Sequence, residues 1–305
     1  MTRILVTGAS GLLGLNFALQ YHPAHQVMGV VNQHGLRHMP FTVVKTDLNN
    51  QRILKRLLVG TAPQLVIHAA ALANLEACEK NPQLAQQVNA DLPGELAKLT
   101  RELGIKLVHI STDAVFDGEQ GGYVETDTPN PLSVYAHSKY EGELQVMQAN
   151  PEAIVARVNF FGWSLTGQRS LAEFFFNNLK AGKPVNGFTD VLFCPLQVNQ
   201  LAETLMEMAG MDLQGLYHVV SGESLSKYDF GCAIANEFGF DPGLVKPISW
   251  QDGGLTARRS PNLTLNVDKL GRALGAPLPG VAAGIRRFYK QFLDGYPERL
   301  QAMAI

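Results

Sequence analysis

The sequence predicts an α/β protein: a doubly wound parallel sheet followed by a smaller, less regular C-terminal part. Three observations carry this. Short apolar, β-branched runs alternate with helical stretches through the first half of the chain. A glycine-rich turn follows the first of those runs directly. After about residue 160 the alternation loosens into helices separated by Gly- and Pro-containing stretches.

The elements follow in order. Residues 3–7, 27–31, 41–45, 65–69, 106–111 and 153–158 read as buried strands. Helices are expected at 12–21, 50–59, 82–103 and 133–148, which makes the connections right-handed crossovers. Beyond them come a helix at 168–181, a Gly/Pro-containing stretch at 182–195, a helix near 197–210 and a strand near 215–220. A helix at 226–239, a Pro/Gly-rich region at 241–262 and a last helix at 281–294 complete the chain. The expected division is a dinucleotide-binding domain over 1–160, joined by 197–220, and a substrate-binding domain over 161–196 and 221–305.

The turn after the first strand reads Gly8-Ala9-Ser10-Gly11-Leu12-Leu13-Gly14. In a strand–turn–helix context this is a dinucleotide fingerprint and marks the fold as Rossmann-like. Gly8 allows the tight turn, Gly11 lets the backbone approach a pyrophosphate, and Gly14 lets helix and strand pack closely. Ser10, Leu12 and Leu13 complete the loop, whose phosphates sit where free N–H groups and the helix dipole favour anions. An acid is expected at the end of the second strand when the ribose is that of NAD. Here the residues are Val31-Asn32-Gln33-His34, with Arg37 beyond. Neutral Asn32, and Arg37 if it meets a 2′-phosphate and is not merely a solvated loop arginine, favour NADP(H) over NAD(H). Asp47, before Leu48, either reaches the adenine amino group or caps the following helix.

Tyr135 and Lys139 are four residues apart, hence on one face of a helix. A nearby ammonium favours phenolate, so Lys139 is expected to lower the Tyr135 pKa and prepare it for proton transfer near neutral pH. Taken alone, such a pair is common on helix surfaces.

Composition excludes several classes. At 305 residues the chain can bury a substantial core, and 46% hydrophobic with 17% charged residues is ordinary for a globular protein. A net charge of −2 without a basic block gives nucleic acid no footprint. No apolar stretch approaches the roughly 20 residues of a membrane span. The strand begins at once, leaving no room for a signal peptide, and Cys78, Cys194 and Cys232 are few and scattered. A cytoplasmic protein with reduced thiols is expected. The histidines show no metal spacing, and His68 and His109 fall within apolar strands.

The residues Gly8-x-x-Gly11-x-x-Gly14, Asp47-Leu48, His68-Ala69-Ala70-Ala71, Asn89, Ser111-Thr112-Asp113 and Tyr135-x-x-x-Lys139 occur together and in order. In this the sequence resembles the extended short-chain dehydrogenase/reductase superfamily. Within it the chain is most similar to the dTDP-4-dehydrorhamnose reductases and related sugar-nucleotide reductases. That likeness is carried by Ser111 to Gly118, by Tyr123-x-Glu125-x-Asp127-x-Pro129-x-Pro131, by Ser226 to Phe230 and by Arg259 to Leu265. The resemblance implies NAD(P)H-dependent reduction of the 4-keto group of a nucleotide-linked deoxysugar. Tyr135 would donate the proton, Lys139 would tune it and bind ribose, and Thr112 would hydrogen-bond the carbonyl oxygen. Ala69, Ala70 and Ala71 would lie against the cofactor. Asp113, Val115, Phe116, Asn159, Phe160, Trp163 and Arg259 would face the substrate. Asn89 is either the helix residue behind the site or an ordinary polar one, and Asp113 either orients substrate or bonds nearby backbone.

Two positions discriminate among relatives. The 4,6-dehydratases carry Thr-Asp-Glu where this chain has Thr112-Asp113-Ala114, and alanine transfers no proton. The reductases' Arg-Thr-Ser-Trp is replaced by Arg157-Val158-Asn159-Phe160, so Phe160 stands where the tryptophan would be, unless Trp163 takes its place. The identity of the sugar is therefore open. Other sugar-nucleotide reductases, epimerases and non-catalytic NADP-binding regulatory subunits remain as alternatives. The expected partner is a nucleotide-sugar substrate, with a homodimer left open and no nucleic acid, membrane or metal.

Overall fold

The computed structural model describes residues 1–253 and 260–304. Six strands and six helices come first: β1 (Arg3–Thr7), α1 (Leu12–Tyr21), β2 (Gln26–Val31), β3 (Thr42–Lys45), α2 (Gln51–Thr61), β4 (Leu65–His68), α3 (Leu75–Lys80), α4 (Pro82–Gln86), α5 (Leu92–Glu102), β5 (Lys106–Thr112), α6 (Val134–Ala149) and β6 (Ile154–Val158). Then follow β7 (Phe160–Phe161), α7 (Leu171–Lys180), β8 (Val185–Phe188), β9 (Leu192–Phe193), β10 (Leu196–Gln197), α8 (Val198–Gly210) and β11 (Gly215–Val219). The chain closes with β12 (Leu225–Ser226), α9 (Lys227–Phe238), β13 (Val245–Ile248), α10 (Asp268–Leu274), α11 (Val281–Leu293) and α12 (Tyr296–Gln301).

Seven strands form one sheet in the order β11-β6-β5-β4-β1-β2-β3, every pair parallel. Buried β4 and β6 show no in–out alternation, because helices cover both faces of the sheet. One core fills the face that also receives the C-terminal helices, and a second core fills the face under α2, α5 and α6. The order reverses between β1 and β4. A crevice therefore opens beyond the carboxyl ends of the central strands, where such sheets bind ligands. At one edge of the sheet β11 pairs with β6, and α8 packs on α1.

Three expectations change. The single helix over 82–103 is two helices joined by a π turn at Gln87–Asp91. Pro93 supplies a reason: it has no N–H for the carbonyl of Asn89, and its ring collides with that carbonyl in regular α geometry. A helix at Leu75–Lys80 was not foreseen. The irregular-looking stretches 182–195 and 241–262 contain β8 and β13, which pair in parallel with each other across a long sequence separation.

Candidate active site

The glycine loop is built as its sequence requires. Gly8 has φ +68°, and a Cβ there would stand 2.7 Å from the backbone of Ala69. A Cβ on Gly14 would overlap the Gly8 carbonyl. Gly11 caps α1 without a side chain, and the first turn holds no acid. The opening N–H groups of α1 thus face a cleft of about 680 Å³. Gly8, Ser10 and Gly11 line it on one side; Asn32, Asp47 and Ala69–Ala71 extend it across the strand ends. Leu48 is buried at its edge, while Leu12 and Leu13 belong to the helix beneath.

The ribose end differs from expectation. Arg37 does not line the cleft: its Nε donates to the Ala302 carbonyl at 3.2 Å, and its N–H donates to Met303. The physical reason is the C-terminal segment, which pairs with the β2–β3 connection through Leu36 and Ala304. Asp47 does not cap α2. Asn50 does, accepting from Arg52 and Ile53, while Asp47 Oδ1 accepts from Asn49 and keeps its place in the cleft wall.

Ser133 caps α6 and sets Tyr135 in its first turn, one turn before Lys139. The expected activation of the phenol is not found. Tyr135 is pushed up to about 12, first by loss of solvation and also by the Asp113 carboxylate, against a hydrogen bond with Thr112. The Lys139 ammonium is turned inward and donates to the Ile110 carbonyl at 2.7 Å. Burial pushes it down to about 8, with the Glu143 carboxylate one turn further on opposing. Glu143 is itself held by Arg157 on β6, at 2.7 Å and almost wholly buried. Arg157 lies over the Phe116 ring, 4.9 Å from its centre.

Thr112 ends β5. Its hydroxyl accepts from the Ala114 N–H and donates to Asp113 Oδ1 at 3.1 Å. The other Asp113 oxygen accepts from Asn159 Nδ2 at 2.6 Å. Burial raises Asp113 to about 6 against these hydrogen bonds and the Lys227 charge. Beside this cluster lies a second cavity of about 170 Å³, whose wall includes Ala114, Ser133, Asn159, Phe193 and Lys227. Asn89 is buried in the π turn, bonding both backbone groups of Leu72 and the Ser138 hydroxyl. It therefore pins the wall of the large cleft to the helix of Tyr135. His68 and His109 stack in the core, and burial holds both below the usual imidazole range.

Several expected substrate residues lie elsewhere. Trp163 is 2% exposed; it stacks on Phe288 at 3.9 Å and donates Nε1–H to the Phe288 carbonyl. It is a core residue and does not replace the tryptophan missing at Phe160. Val115 and Phe116 are buried, the latter stacked on Tyr123 at 4.1 Å. Phe160 is half-buried against the core in β7. Arg259 lies outside the described residues. Conversely, Lys227 and Arg169 line the cavities, and neither is among the site residues expected from the sequence. The Ser226–Phe230 string was a signal for Lys227; a lone loop arginine gave none.

The profile of the RmlD substrate binding domain family matches residues 1–293. The chain belongs to that family. RmlD-family chains fall within the extended short-chain dehydrogenase/reductases, and the membership makes this an NAD(P)-dependent oxidoreductase family. Three proteins illustrate its range. The probable low-salt glycan biosynthesis reductase Agl14 of Haloferax volcanii is 31% identical over 296 residues, 95% of this chain and 98% of that one. The dTDP-4-dehydrorhamnose reductase of Mycobacterium tuberculosis is 32% identical over 254 residues, 81% and 79% respectively. The methionine adenosyltransferase 2 subunit beta of Danio rerio is 30% identical over 279 residues, 88% and 84%.

Proposed function

We propose that this protein reduces the 4-keto group of a nucleotide-linked deoxysugar with NAD(P)H, and that dTDP-4-dehydrorhamnose is its substrate. The observation that carries the reading is the hydrogen bond between Tyr135 and Thr112, beside the cavity walled by Ala114, Ser133 and Asn159. The 1–160 region with 197–220 would hold the dinucleotide, and the remainder would hold the sugar nucleotide. The donor set fits a dinucleotide: a glycine cradle where a Cβ would collide, and uncapped N–H groups at the start of α1.

When bound, the reduced nicotinamide supplies a hydride to the carbonyl carbon. Tyr135 supplies the proton. A phenol held near 12 stays protonated at neutral pH, which is the state a reductive proton donor needs. Lys139, one turn further along α6, would steady the phenolate left after transfer once its ammonium leaves the Ile110 carbonyl. Thr112 would redirect its hydroxyl from Asp113 to the growing oxyanion. Ala114 leaves no acid for dehydration at the position next to Asp113.

At the ribose end, Asn32 is neutral and no carboxylate ends β2. This supports NADP(H) over NAD(H), although Arg37 is tied to Ala302. The three free cysteines accord with a cytoplasmic setting. A second reading, a regulatory subunit that binds dinucleotide and a partner enzyme, is favoured by the likeness to methionine adenosyltransferase 2 subunit beta. The deciding experiment presents a panel of nucleotide-linked keto sugars with NADPH and NADH in parallel. Turnover of dTDP-4-dehydrorhamnose supports the proposal. Turnover of another sugar alone replaces the substrate, and none at all, with dinucleotide bound and a protein co-purifying, favours the regulatory reading.

A further inference from the structure

We infer that Arg169 clasps the diphosphate of the dinucleotide, from a loop on the far side of the cleft from the glycine turn. The inference rests on the oxidoreductase reading above. A dinucleotide brings a diphosphate, and Arg169 is the one permanently cationic side chain among the described residues that line the large cleft. The only carboxylate in that lining is Asp47. Arg169 is exposed, so its guanidinium stands in the opening and not in the core.

Its position is fixed from beneath. The fully buried Glu173 carboxylate accepts from the Arg169 N–H at 2.9 Å and the Ser170 N–H at 3.0 Å. It also accepts from the Ser164 N–H at 2.6 Å and the Ser164 hydroxyl. One anion thus holds both ends of the 164–170 loop. The loop's base is fastened to α1: Asn16 Nδ2 donates to the Trp163 carbonyl at 2.9 Å and to the Leu12 carbonyl at 2.7 Å. Anchorage on Asn16, in the second turn of α1, ties the loop that carries Arg169 to the helix whose glycine turn lines the same cleft, where a diphosphate would bind. A guanidinium there pairs with phosphate oxygens in bidentate fashion, complementing the α1 N–H groups from the other side.

The test measures NADPH and NADH binding by the full chain and by Arg169→Ala and Arg169→Lys. A diphosphate contact is common to both nucleotides. Arg169→Ala should weaken both by a similar factor, about tenfold or more, and Arg169→Lys should recover part of the loss. Unchanged melting temperatures would show that the exposed substitution leaves the fold intact. Equal affinity of Arg169→Ala and wild type for both nucleotides would overturn the inference alone. So would a loss confined to NADPH, which would move Arg169 to the 2′-phosphate. Wild-type protein that binds neither nucleotide would overturn the oxidoreductase reading as well.

Discussion

Asp113 shows how much a single buried group can decide. Its carboxyl is raised to about 6 because desolvation outweighs the bonds from Thr112 and Asn159. The folded pKa lies above the ordinary carboxylate value, so the folded state binds more protons between about pH 4 and pH 6. Stability therefore falls as pH rises through that window, and the cost is fully present above it. Asp113→Asn should melt higher than wild type at pH 7.5, and the gap should close at pH 4. Melting curves at the two pH values check this; an equal gap at both would mean that Asp113 ionises freely in the fold. The identities of Tyr135, Lys139 and Thr112 were legible in the sequence. Their electrostatics were not. The spacing of Tyr135 and Lys139 places them on one face, but the Ile110 carbonyl, which draws the ammonium away, comes from β5, a separate element that only the fold brings against the helix. The bond from Asn159 to Asp113, which extends the local Thr112–Asp113 link, likewise depends on β5 lying beside β6.

Between elements, the most consequential contact is the ion pair of Glu143 on α6 with Arg157 on β6. Both partners are buried, and the pair holds the helix of Tyr135 and Lys139 against the sheet. Replacing one partner leaves the other charge uncompensated, which costs about 3–5 kcal/mol. Glu143→Gln should lose that much unfolding free energy in denaturant titrations, and the Lys139 pKa should fall further because its one supporting anion is gone. A loss below about 1 kcal/mol would match a solvated surface pair and contradict the burial. The strands of the sheet were legible because buried parallel strands are apolar throughout. The π turn was not: it arises where Pro93 denies Asn89 a partner, and Asn89 turns its side chain to Leu72 and Ser138. The short β8 and β13 were hidden for a different reason. Each is too brief to announce itself, and each is stabilised by the other.

Across the whole molecule, the aromatic cluster of Trp163, Phe176, Phe238, Phe288 and Phe292 binds α7, α9 and α11 to the sheet core. Trp163 belongs to this cluster and lines neither cavity. Trp163→Ala should cost about 3–5 kcal/mol of stability, with the KM for the sugar nucleotide little changed in the fraction that stays folded. A normal melting temperature with a raised KM would return Trp163 to the binding site. The C-terminal half was the less legible part because its segments are placed by contacts with distant ones. The end of the chain ties down Arg37 near its beginning, and Glu173 fixes a loop whose Arg169 lines the large cleft. The first half could be read because a glycine turn after a strand has one structural meaning.

The central claim is that Tyr135 is the proton donor in a hydride reaction. It is tested most directly by following NADPH oxidation by wild type and Tyr135→Phe with dTDP-4-dehydrorhamnose, alongside NADPH binding to each. The account predicts unaltered binding and a kcat lowered by about 10²–10⁴-fold in the variant. A Tyr135→Phe enzyme that turns over at near the wild-type kcat would contradict it.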